Sequence, residues 1–93
     1  MKKQPQQKRM SNRERLKELQ SFVQLCFAML PEKLTDEQIA VKAGLCTTTV
    51  WRLRDGQASK YTRFWTIQAL GMAAGLRLEM NKYKATVRLA RVG

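Results

Sequence analysis

The sequence predicts a mainly α fold: four to five helices followed by a short C-terminal β-strand or hairpin. Three observations predict it. Ser11 with Glu14, and Thr35 with Gln38, form two capping boxes that open runs of apolar residues at helical spacing. Gly44, Gly56 and Gly75 stand where short helices would have to stop. Beyond Gly75 the apolar period shifts to two over residues 76–80, as in a half-buried strand. Ninety-three residues hold one core and a tail. The expected division is a flexible basic arm at 1–10, a helical domain at 11–75 and a strand or hairpin at 76–93.

The arm carries Lys2, Lys3, Lys8 and Arg9 among glutamines, with nothing to bury. The first helix starts after Ser11 and presents Leu16, Leu19, Phe22, Val23, Cys26, Phe27 and Leu30 on a broad apolar face; Pro31 stops it. The second opens at Thr35, with Asp36 and Glu37 in the first turn where the helix dipole favours acids, and turns Ile39, Ala40 and Ala43 inward. The third opens at Thr47 or Thr48, with one threonine capping it, buries Val50 and Leu53, and ends at Asp55 before Gly56. Residues 57–61 form a polar, basic loop. A fourth helix from about Thr62 carries Phe64, Ile67, Leu70 and Ala74 inward; Phe22, Phe27 and Phe64 are assigned to the core. Residues 76–80 are read as a strand and 85–92 as its return across a turn at 81–84, although Leu76, Met80, Tyr83 and Val87 also fit helical spacing.

Eighteen basic residues against seven acidic give a net charge of +11, six units of it within residues 1–17. Such a surplus repels itself unless a polyanion neutralises it, which points to nucleic acid before an anionic membrane. No apolar run approaches the ~20 residues a bilayer span needs, and no signal core follows the basic start, so a cytoplasmic location is expected. With no histidine, no CxxC and no glycine-rich phosphate loop, neither an enzyme nor a metal or cofactor site is expected. Cys26 and Cys46 are read as buried, reduced thiols.

Two short helices joined by a tight glycine-bearing turn make a bihelical unit over 36–55. Ala40 supplies the small residue where the helices cross, and Gly44 supplies positive φ in the turn. Leu45, Val50 and Leu53 anchor the second helix. This stretch, Thr35 to Leu45 followed by Thr47 to Gly56, resembles the helix-turn-helix domain of the lambda repressor and Cro (XRE-like) superfamily. The segments Thr66 to Leu70 and Ala74 to Glu79 are similar to the fourth helix and following strand of antitoxin-type members. About half the chain is covered. Two positions depart from the pattern: Asp36 stands where the family often has a phosphate-contacting Gln, and Trp51 where a small polar residue is frequent.

The resemblance implies a dimeric, sequence-specific transcriptional repressor of phage, plasmid or bacterial origin. It would act by occupying a palindromic operator in double-stranded DNA as a homodimer, with no cofactor. Family geometry aims the start of the third helix at base edges, so Thr47, Thr48, Thr49, Trp51 and Arg52 are the expected base readers. Arg52 leads because its planar fork matches guanine. Trp51 packs either on thymine methyls or sugars, or against the 57–61 loop. Arg54 is expected on the back or flank of the helix. Lys8, Arg9, Lys60, Tyr61 and Arg63 are the expected phosphate contacts. Trp65 joins the core or a dimer seam, and Leu76, Leu78 and Met80 are expected at the dimer interface. Two other readings compete: an antitoxin-like module that binds a protein such as a toxin, and a non-specific nucleic-acid or RNA binder.

Overall fold

The structure, a computed structural model, describes residues 8–56 and 62–90. The loop expected at 57–61, with Lys60 and Tyr61, lies outside the described residues, as do residues 1–7 of the arm and 91–93. Four helices and one hairpin follow in order: α1 (Asn12–Met29), α2 (Asp36–Ala43), α3 (Thr47–Arg54), α4 (Phe64–Ala74), β1 (Leu76–Met80) and β2 (Ala85–Leu89). The chain is thus mainly helical with a two-stranded antiparallel C-terminal hairpin, and the described residues hold four helices rather than five.

Local chemistry sets the helix ends. Ser11 accepts from the Glu14 amide at the start of α1, and Thr35 accepts from the Gln38 amide at the start of α2, each box closing reciprocally. Gly44 at φ 70° and Gly75 at φ 78° end α2 and α4 in the left-handed conformation that a side chain disfavours. The cap of α3 differs from expectation. The helix already begins at Thr47, so Cys46 takes the cap position and makes no side-chain bond there. The threonines are consequently released from capping.

One core joins all these elements. Phe22, Val23 and Cys26 of α1 pack with Ile39 and Ala40 of α2, Val50 and Leu53 of α3, Ile67 and Leu70 of α4, and Leu76 and Leu78 of β1. Burial pushes the Cys26 thiol up to about 12, so it stays protonated and serves as a small apolar side chain. At Gly71 the elements come closest. A Cβ there would meet Phe22 Cζ at 2.7 Å and the Leu76 carbonyl oxygen at 2.8 Å, so only glycine lets α1, α4 and the hairpin share this point.

Several assignments change. Cys46 is exposed, because it caps a helix at the surface instead of packing inside. Phe64 is 43% exposed: α4 starts at Phe64 rather than at Thr62, which leaves the ring on the first turn, off the inward line of Ile67 and Leu70. Trp65 is 59% exposed on the face opposite that line, outside the core. Phe27 is half-buried, packed against the core below the Arg54 side chain.

The hairpin pairs Leu76 with Leu89, Leu78 with Val87 and Met80 with Ala85 on one face, and Arg77 with Arg88 and Glu79 with Thr86 on the other. Asn81 Oδ1 accepts from the amides of Tyr83 and Lys84 and closes the turn where it is expected. Leu76 and Leu78, expected at a subunit interface, are instead buried in the chain's own core at 5% and 1% exposure. The backbone of β1 is also engaged on its outer side. Gln68 Nε2 donates to the Leu78 carbonyl at 2.5 Å, and the Leu78 amide donates to Gln68 Oε1 at 3.1 Å. Met80 is half-buried and packs against the same core. The expected interface on Leu76, Leu78 and Met80 is therefore corrected: this strand is spent on intramolecular packing.

Candidate nucleic-acid interface

The Thr47–Arg54 helix rests on the core through Val50 and Leu53, both buried. At 3.6 residues per turn the side chains opposite that pair are Thr48, Arg52 and Asp55, with Trp51 on one flank and Thr49 on the other. Thr47, Thr48, Trp51 and Arg52 are exposed, Trp51 to 60%, and Thr49 is half-buried. All five expected base readers therefore lie on one rod whose outward surface is open. Among the described residues this surface carries a single acid, Asp55, at its C-terminal end.

Trp51 does not fold back onto the core. Its exposure follows from the spacing, since Val50 and Leu53 fix the inward line and Trp51 falls a quarter-turn or more away from it.

Two contacts brace the rod from behind. Arg54 Nε donates to Asp36 Oδ1 at 2.7 Å, tying the end of α3 to the start of α2. The same guanidinium lies 4.5 Å above the centroid of the Phe27 ring, which adds a cation–π contact to α1. Arg54 thus occupies the back of the helix, as its spacing implies. Asp36, which departs from the family pattern, meets a cation rather than open solvent.

A cleft of about 660 Å³ runs beside the rod between α3 and the start of α4. Cys46, Thr49 and Arg52 line one wall; Thr62, Arg63, Trp65 and Thr66 line the other. Two guanidinium-bearing residues, hydroxyls and an indole on one groove suit an anionic ligand such as the sugar-phosphate backbone of a nucleic acid. Of the expected phosphate contacts, Arg63 lies in this cleft and is exposed. Lys8 and Arg9 are exposed in the segment before α1, whose Met10 amide donates to the Lys82 carbonyl at the hairpin turn. They are thus near the turn rather than in the cleft. Trp65 and Cys46 were not foreseen as site residues. Trp65 had a signal: two residues before Ile67 and five before Leu70 on one helix, it falls on the face opposite that buried pair.

No helix among the described residues is long and apolar enough to cross a membrane. Compared with protein-family models, curated proteins and solved structures, the chain matches none of them.

Proposed function

We propose that the chain is a sequence-specific double-stranded DNA-binding protein of the lambda repressor and Cro helix-turn-helix kind, repressing transcription by occupying a palindromic operator as a homodimer. The observation that carries this reading is the α3 surface: threonines, Trp51 and Arg52 face outward while α2 supports the helix from behind. A rod of this length fits the major groove, where Arg52 has the two-acceptor edge of guanine to match and the threonines have hydroxyls and methyls for adenine and thymine edges. The cleft lined by Thr49, Thr62 and Arg63 then follows one phosphate strand, and Lys8 and Arg9 add charge outside it. One such helix reads too few base pairs for selective binding, which favours a two-fold pair on half-sites about one turn, ~34 Å, apart.

Selection of bound duplexes from a random pool tests the reading. The expected result is an enriched palindrome with fixed half-site spacing. Recovery of unenriched sequence, with tRNA competing as well as duplex, would remove sequence-specific DNA binding and leave a general polyanion binder.

A further inference from the structure

Most of the positive charge lies away from the proposed recognition helix. Residues 31–75, which contain α2, α3 and α4, hold six basic and four acidic residues, whereas the rest of the chain holds twelve basic and three acidic. Residues 1–30 and 76–93 thus carry +9 of the net +11. The fold brings these two segments together, because the Met10 amide donates to the Lys82 carbonyl at 2.8 Å and sets Lys8 and Arg9 beside the hairpin turn. Lys8, Arg9, Lys82 and Lys84 are exposed, and none of them has an ion pair among the described residues. The acids next to them in sequence are engaged elsewhere: Glu14 closes the capping box on Ser11, and Glu79 is held by Arg77 and Arg88.

This cationic turn and the α3 surface lie on opposite sides of the chain. β1 packs on α4 and β2 on α1, whereas α2 packs on α4 and α3 on α1. On α4, Gln68 bonds β1 while Thr66 lines the cleft beside α3. On α1, Phe22 meets Gly71 beside Leu76, while Gln24 lines a hollow with Leu53 and Gly56. Each pair is two residues, ~200°, apart around its helix, so α1 and α4 form a middle layer with the hairpin on one side and α3 on the other. A duplex lying on α3 therefore leaves the charge at the turn unneutralised.

We infer that the hairpin turn and the segment before α1 form a second phosphate-binding surface that seats a second duplex, so that the protein bridges two stretches of double-stranded DNA. The turn is the apex of a two-stranded ribbon, an element narrow enough to enter a major groove. At that apex Lys82 and Lys84 flank Tyr83, which is 43% exposed, so two cations and a hydroxyl meet phosphate oxygens together. A single strand would need a series of aromatic platforms, and Tyr83 is the only aromatic residue in 76–93. A membrane would need apolar side chains beside the cations, but the exposed Val87 and Leu89 run away from the turn along β2, Leu89 to ~17 Å from Lys84.

The surface stands independently of the proposed α3 reading, whereas bridging needs both. The test uses the full chain, with one duplex tethered to beads and a second, labelled duplex in solution. Wild-type protein is expected to retain the labelled duplex, and Lys82→Ala/Lys84→Ala to retain about tenfold less, with unchanged circular dichroism and Tm. Lys82→Arg/Lys84→Arg, which keeps the charge, is expected to restore retention. On a sequence selected through α3 the alanine pair is expected to leave Kd unchanged. On scrambled duplex it is expected to reduce the slope of log K against log salt by ~2, for two lost phosphate contacts. Retention and salt slope that are unchanged in the alanine pair overturn the inference. Preferential capture of poly(dT), or of vesicles containing phosphatidylglycerol, over duplex overturns it too. Unselective duplex binding that the alanine pair abolishes leaves this surface standing and removes the α3 reading, while a selected site with no retention of a second duplex does the reverse.

Discussion

Arg52 and Arg54 lie two residues apart on one helix, Arg52 exposed on its outward side and Arg54 held by Asp36 and Phe27, so replacing each by alanine separates the proposed reading from bracing. Arg54 makes one ion pair with Asp36, with side chains 45% and 27% exposed, and one ring contact with Phe27. An exposed ion pair contributes ~0.2–1 kcal/mol and an exposed cation–π contact ~0.5–1 kcal/mol. The two share one guanidinium and are not additive, which leaves about 1 kcal/mol for Arg54→Ala, a fall of roughly 4–8 °C in Tm for a domain of this size. No ion pair among the described residues holds Arg52, and it is exposed. Arg52→Ala should therefore leave stability within about 0.5 kcal/mol. If Arg52 reads guanine, the same change costs ~1–3 kcal/mol on the selected site, about 5- to 150-fold in Kd, and far less on scrambled duplex. Thermal unfolding and fluorescence anisotropy on both duplexes measure the two effects. The reasoning fails if Arg54→Ala lowers selectivity without lowering Tm. It also fails if Arg52→Ala weakens both duplexes equally, which would make Arg52 a phosphate contact.

Three further outcomes follow from single contacts. Gly71→Ala should destabilise the fold by ~1–3 kcal/mol in urea titration, because one obstructing atom is the Leu76 carbonyl oxygen and cannot rotate away; the ~1 kcal/mol helix-propensity gain would prevail only if that contact relaxed. A thiol reagent at neutral pH should alkylate exposed Cys46 and spare Cys26, whose thiol is held near 12, as peptide mass mapping would show; equal labelling would mean that α1 opens readily. The Arg77 side chain, with Arg88 beside it, holds the Glu79 carboxyl below its ordinary value of 4.5. A depressed carboxyl stabilises the fold above its unfolded pKa, and the contribution is lost as pH falls through the lower folded value. Hairpin amide shifts should accordingly change below about pH 4.5, and Glu79→Gln should abolish that change.

The parts legible in the sequence were those fixed by neighbours within one turn. Thr35 with Gln38, Gly44, and the spacing of Val50 and Leu53 each specify a local geometry, and each appears where it was expected. Where the reading failed, the deciding contact was distant or the frame was set by one residue. The Thr47–Thr49 run suggests a capping threonine, but of the two expected starts the helix takes Thr47 and so gives the cap to Cys46. Phe64 and Trp65 are exposed because they lie to the side of and opposite the line of Thr66, Ile67, Leu70 and Gly71 that α4 buries. Alternation over 76–80 showed an apolar strand face without showing whose core it would cover. That question was decided by Gln68, ten residues from Leu78, and by the close approach at Gly71. Neither residue has a side-chain signal that a periodicity can register.

The same reasoning explains how an acid can stand at the start of α2 in a surface proposed to meet phosphate. A carboxylate there gains from the helix dipole but would repel a DNA strand. With Arg54 Nε 2.7 Å away, Asp36 presents a neutral pair instead, and Arg54 in turn is withdrawn from any role in reading bases. Among the described residues that line the cleft, Arg52 and Arg63 carry the positive charge. Asp36→Gln, a change toward the family pattern, would then release Arg54 as well as supply an amide. Its effect on affinity should depend on Arg54: a gain in the wild-type background that disappears with Arg54→Ala would show that the released cation, and not the new amide, carries it.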